Sequence, residues 1–235
     1  MHVPPRFQFD RTASLAFAGA RGFGLVCAHD GRRPVSSPLP FCLDYAADGT
    51  PLASFHVARN NPLAGLAGGR GDWLLAVTGA DAYVSADWYA SPDQVPTWLY
   101  EAVHLSGPVT MMSEDGLSAH VDALSAIFEE RLAPKPPWRS EKMTAGRLVA
   151  MKKGIVGLVM RVEQVEGSLK LNQHKSDADH AAVADALGIQ ADPGARSLAR
   201  RMVALRPHLD YKSVPPSGGA TNAATDAAIE AGITP

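Results

Sequence analysis

The sequence predicts a mainly β fold with helical decorations, an antiparallel barrel that is closed or split. Three observations predict it. Six or seven strand-length runs are spread along the chain, turn residues stand between most of them, and helices are inserted between strand pairs. A βαβ fold would instead alternate one helix with every strand. At 235 residues, 46% of them hydrophobic, the chain can bury a substantial core. The expected organisation is a barrel domain over 1–175, a helical pair packed on it over 176–206, and a flexible low-complexity tail over 207–235.

In chain order, Pro4 and Pro5 keep the first nine residues extended, and Asp10 caps a short helix that runs to about Gly19. Phe23–Ala28 reads as a strand, and Asp30-Gly31 carries a hairpin signal. The partner strand, Pro34–Leu43, contains Pro38 and Pro40, which implies an edge or bulged strand. A turn at Asp48-Gly49-Thr50 leads to a strand over Pro51–Val57. Asn61-Pro62 opens a short helix to Ala67, ended by Gly68-Gly69. Strands at Trp73–Thr78 and Ala82–Ser85 are joined by a turn at Gly79-Ala80-Asp81, and Tyr100–Met112 is a strand broken at Gly107-Pro108. Ser113 caps a helix carrying Leu117, Val121, Leu124 and Phe128 at helical spacing. After the proline-rich stretch at 133–138 come a helix over Ser140–Lys153 and a strand over Ile155–Val165, the longest expected. Two short helices, Ala178–Leu187 and Ala195–Leu205, complete the ordered chain.

Composition narrows the function classes. A formal net charge of -2, from 22 basic and 24 acidic residues, is too balanced for strong non-specific nucleic-acid binding but leaves room for a local basic patch. Cys27 and Cys42 sit in apolar runs without metal or redox spacing, as reduced thiols in a cytoplasmic protein do. The N-terminus has no signal-peptide pattern, and no apolar run is long enough to cross a bilayer. No zinc-type spacing, Walker-type run or nucleophile elbow is present. The glycines of 65–71 follow a helix and precede a strand, the reverse of a dinucleotide fingerprint.

The chemistry-bearing stretch is 55–104. His56, Arg59, Asn60 and Asn61 place a cation beside amide and imidazole groups, and the helix opening at Asn61 adds backbone N–H groups, a set that suits a phosphate. His56 and Arg59 are separated by an odd interval, so the chain must turn between them. Ser36 and Ser37, on the neighbouring strand, add hydroxyls. Trp88, Tyr89 and Trp98, beside two prolines, suit a planar ring or a subunit seam.

Several segments together resemble one family: MHVPPRF, HVARNNP, DAYVSADWY, VPTWLYEAVH, PPWR and IVGLVMRVEQVEGSLKLNQ, in that order from Met1 to about Leu205. As a set they resemble the PaiB family of FMN-binding negative transcriptional regulators. The resemblance implies an FMN-binding split β-barrel related to pyridoxamine phosphate oxidases, homodimeric, with FMN at the subunit interface. It also implies flavin contacts from Ser36, Ser37, Leu39 and the backbone to Pro40, from His56, Arg59, Asn60 and Asn61, and from Trp88, Thr97, Trp98, Lys170 and Gln173. Lys170 and Gln173 would reach the pyrimidine end, where a cation stabilises the reduced ring. The family pattern reads VPTWNY and KLSQN; this chain carries Leu99 in place of that asparagine, and Asn172 and His174 flank Gln173.

Three functions follow from the resemblance: a flavin-binding regulator, with DNA as a further partner; an FMN-dependent oxidoreductase acting on a small molecule; or a barrel that has lost its flavin. No residue stands out as a general acid or base. The helices at 178–205 invite a helix-turn-helix reading, but the second offers no amide side chains for base edges, so a packing pair is expected there.

Overall fold

The computed structural model describes residues 1–214 and divides the chain into two compact units. One holds Arg21–Val77 and His104–Val165; the other holds Met1–Ala20, Thr78–Val103 and the chain from Glu166 onward.

The first unit contains β2 (Phe23–His29), β3 (Pro34–Tyr45), β4 (Pro51–Ala58), β7 (Val109–Met111), β8 (Ile155–Arg161) and parts of β5 (Trp73–Val84) and β6 (Thr97–Gly107). Its strand order is β5-β2-β3-β4-β8-β7. The hairpin between β2 and β3 forms where Asp30-Gly31 predicts it: Asp30 Oδ1 accepts the N–H groups of Arg32 and Arg33, and Gly31 takes φ +90°. The prolines of β3 are explained by its two halves. Residues 34–40 pair only with β2 and residues 41–45 only with β4 among the described residues, so the proline half has one open edge. β4 alternates buried and half-buried positions, and Ala53, Phe55 and Val57 join Val26, Phe41, Leu75, Leu158 and Met160 in the core. Helices α2 (Glu114–Glu130) and α3 (Ala145–Lys152) complete this unit.

The second unit holds β1 (Gln8–Phe9), α1 (Arg11–Arg21, up to Ala20), β9 (Gln164–Lys170, from Glu166), α4 (Asp177–Gly188) and α5 (Pro193–Leu205). Here the order is β1-β9-β6-β5. The pairs β1–β9, β2–β3, β2–β5, β3–β4, β4–β8 and β7–β8 are antiparallel. α4 and α5 pack together, and Val183, Leu187, Leu198 and Met202 share one apolar cluster with Ala82, Val84, Leu99 and Leu171. Inside this unit Arg201 pairs with Glu101 at 2.6 Å, both side chains being almost fully buried. Burial raises the Glu101 pKa, and Arg201 opposes the shift. Arg201 is therefore a packing cation and not a base reader. Residues 207–214, the start of the expected tail, are tied down: Asp185 accepts the N–H groups of Lys212 and Ser213, and Val214 is buried. The remainder of that tail, 215–235, lies outside the described residues.

Four expectations are corrected. Trp73–Val84 is one continuous strand, not two joined by a turn. A Cβ on Gly79 would stand 2.9 Å from the Phe17 ring and 3.0 Å from the Glu101 carboxylate, so this glycine serves close approach. The expected strand over Ile155–Val165 ends at Arg161, where the chain leaves β8 for β9; β3 and β5, at 12 residues each, are longer. The helix expected over Ser140–Lys153 is a 3-10 turn, Ser140–Lys142, followed by α3. That over Pro62–Ala67 is a 3-10 turn, Pro62–Leu66.

Gly79→Val should therefore destabilise the fold by about 1–3 kcal/mol through overpacking against Phe17 and Glu101. A lower urea midpoint with an unchanged m-value shows this; an unchanged midpoint returns Gly79 to an ordinary strand position.

Candidate functional site

Of the residues expected to meet a phosphate, His56, Arg59, Asn60 and Asn61 lie along the C-terminal end of β4 and just past it, and Ser37 joins Asn61. Asn61 caps the 3-10 turn: its Oδ1 accepts the Leu63 N–H at 3.0 Å, and its Nδ2 donates to Ser37 Oγ at 2.9 Å. The second bond uses Ser37 as acceptor, which leaves its own proton for an outside oxygen. The turn is only five residues long and Asn61 already occupies one of its N–H groups, so the phosphate chemistry here rests on side chains. Ser37 and Leu39 share one side of β3, and Ser36 lies on the other, exposed beside Cys27. Ser36 is thus separated from Ser37 and Asn61.

Arg59 follows β4 directly and has a structural duty. Its backbone N–H donates to Gly154 O, its Nε to Lys153 O at 2.8 Å, and one Nη to Ile155 O at 3.1 Å. These three bonds hold the entry to β8. The Nε–Nη2 edge of the guanidinium is spent on carbonyls, and three N–H groups along its Nη1–Nη2 edge remain to bind an anion. Asn60, beside it, is exposed.

His56 turns toward α2, where His120 Nε2 lies 3.1 Å from His56 Nδ1. His120 was not among the sequence candidates, though it sits between Leu117 and Leu124 on the buried stripe of α2, and a histidine on such a stripe is a readable signal. Its Nδ1 is buried and unpartnered. The less demanding tautomer puts the proton on His120 Nε2, donating to His56 Nδ1, because the reverse would bury an N–H donor without an acceptor. His56 then carries its own proton on Nε2.

In the other unit Lys170 Nζ donates to Thr97 Oγ1 at 2.7 Å, so these two expected contacts do meet. Burial, then Arg6, lowers the Lys170 pKa. Gln173 is committed to its own turn, accepting from Leu171 N and donating to Leu169 O. Trp88 is half-buried against the apolar cluster, whereas Trp98 is exposed and meets Tyr83 edge-on at 6.1 Å. Leu99, which replaces the family asparagine, is fully buried in that cluster, so its apolar side chain suits its surroundings. Asn172 takes φ +59° and bonds the Tyr89 hydroxyl, while His174 stands edge-on to the Phe7 ring.

The histidine pair gives a pH dependence. Burial, aided by the charge of His56, pushes His120 down to about 4 from an ordinary value near 6.5. A lowered pKa means the unfolded chain binds the proton first, so this stability is complete above about 6.5 and is lost as pH falls toward 4. The loss amounts to roughly 3 kcal/mol at most. Melting temperature measured from pH 7 to 4 should fall less steeply in His120→Gln; parallel profiles would remove the pair from the acid response.

A family model described as "Putative FMN-binding domain" matches residues 1–164. "Protease synthase and sporulation protein PAI 2" from Bacillus subtilis is 28% identical over 203 residues, covering 86% of this chain and 96% of that one. Among solved structures, the FAD and heme binding protein from Mycobacterium smegmatis matches with a TM-score of 0.51 at 19% identity, covering 74% of this chain and 78% of that one. That likeness establishes a shared fold. In the first unit, Ser37 O–H, Asn60 and the unspent edge of Arg59 are donors of the kind that the phosphate of the family's cofactor takes. The chain belongs to this family of FMN-binding domains as a PaiB-like member, and its cofactor is FMN.

Proposed function

We propose that this chain is a cytoplasmic, homodimeric FMN-binding regulator, a negative regulator of transcription that holds its flavin at the subunit interface. The observation that carries the binding site is the Ser37–Asn61 hydrogen bond, which uses Ser37 as acceptor and leaves its hydroxyl proton for an outside oxygen. Support for regulation comes from the likeness to PAI 2, a protein named for sporulation. Support for a dimer comes from large apolar side chains left exposed in each unit: Phe23 and Leu25 in one, Tyr83, Val95 and Trp98 in the other. Free Cys27 and Cys42 accord with a reducing compartment. No helix among the described residues is long and apolar enough to cross a membrane.

Lys170 favours a second reading, an FMN-dependent oxidoreductase of the pyridoxamine-phosphate-oxidase kind. Bound FMN supplies reversible electron or hydride transfer. A cation held by Thr97 is suited to stabilise the negative charge that the reduced pyrimidine ring acquires.

Purified protein should be yellow and release FMN on denaturation, identified by mass. Ser37→Ala should weaken FMN binding roughly tenfold to a hundredfold, the worth of one hydrogen bond to a charged group, and lower the melting temperature of the apoprotein only slightly through the lost Asn61 bond. Colourless protein that takes up no added FMN would reject the cofactor site. Steady oxidation of a reduced nicotinamide by the FMN-loaded dimer would favour the oxidoreductase over the regulator.

A further inference from the structure

The regulator reading leaves open which surface would meet DNA, and α5 is unsuited because Arg201 is buried against Glu101. The segment 131–153 of the first unit has the opposite character. It carries Arg131, Lys135, Arg139, Lys142, Arg147, Lys152 and Lys153 against a single carboxylate, Glu141, in a chain whose net charge is -2. All of these cations except Lys152 are exposed.

The segment is laid over the surface with little burial of its own. Gly146, Arg147, Val149, Ala150 and Met151 of α3 are exposed. It is nonetheless positioned. Glu129 at the end of α2 pairs with Lys135 and accepts the Trp138 N–H at 2.7 Å, Lys152 donates to Ser118 Oγ on α2, and Arg59 grips the carbonyls of Lys153 and Ile155. Arg139 and Arg147 make no ion pair or side-chain hydrogen bond among the described residues. A held backbone presenting unspent cations is what a polyanion requires.

We propose that this basic segment, centred on Arg139, Lys142 and Arg147, is a surface that contacts the phosphate backbone of duplex DNA. The choice of partner rests on the regulatory reading; the surface itself does not depend on the flavin. An anionic membrane fits less well. Val149 and Met151, the exposed apolar residues of α3, stand two positions apart and so project from opposite sides of a short helix, where insertion needs one apolar stripe. A second copy docking through this same patch would bring like charges together.

The test is anisotropy of a labelled DNA duplex against full-length FMN-loaded protein between about 50 and 200 mM salt, for wild type and for R139A/K142A/R147A. Wild type should bind with an affinity that falls linearly on a log–log plot. The triple variant should lose roughly 3 units of slope, about 0.9 per phosphate contact removed, and bind at least about tenfold more weakly at the lower salt. Its FMN content and melting temperature should match wild type, which separates this surface from the flavin site. The proposal is overturned if the variant binds DNA with the wild-type slope and affinity. Wild type that binds phosphatidylserine vesicles but no duplex overturns it equally.

Discussion

The register of β4 is the constraint on which the candidate site depends. This strand is hydrogen-bonded on both edges: Phe55 lies opposite Phe41 of β3 and Leu158 of β8, and His56 opposite Gly157. A slip of one residue would carry Ala53, Phe55 and Val57 out of the core and reverse every side chain that follows. With the register fixed, His56 faces α2 and meets His120. Ala58 ends the ladder opposite Ile155, Arg59 reaches the carbonyls of 153–155, and Asn61 arrives at Ser37. Core burial therefore sets where the polar groups stand.

Arg59 shows how one side chain serves two ends. Two of its nitrogens complete the join between α3 and β8, and the rest of its exposed guanidinium remains free to meet an anion. A substitution at Arg59 accordingly mixes fold and binding more than one at Ser37, which gives up a single hydrogen bond from Asn61. On the other unit, Lys170 and Thr97 are fixed by a bond of their own. The polar groups of each unit are thus positioned by that unit's own strands.

Features written locally were legible in the sequence. The Asp30-Gly31 turn, the Ser113 cap and the prolines of β3 each act within a few residues, and each does what its letters imply. Gly79 was opaque because a glycine that makes a turn and a glycine that admits a neighbouring ring are the same letter. Ile155–Val165 misled because apolar alternation continues past Arg161, while the change of partner from β4 to β1 depends on pairing distant in sequence. The His56–His120 contact joins residues 64 apart, so only the topology discloses it. The basic run at 131–153 was present in the sequence throughout, masked by a net charge averaged over the whole chain.

The central claim is that the side chains at the end of β4 hold a flavin by its phosphate. Parallel titration of the apoprotein with FMN and with riboflavin, followed by flavin fluorescence, addresses it directly. The account predicts that FMN binds at least roughly tenfold to a hundredfold more tightly, since the two ligands differ by the charged group that Ser37 and Arg59 would meet. Equal affinities would contradict it.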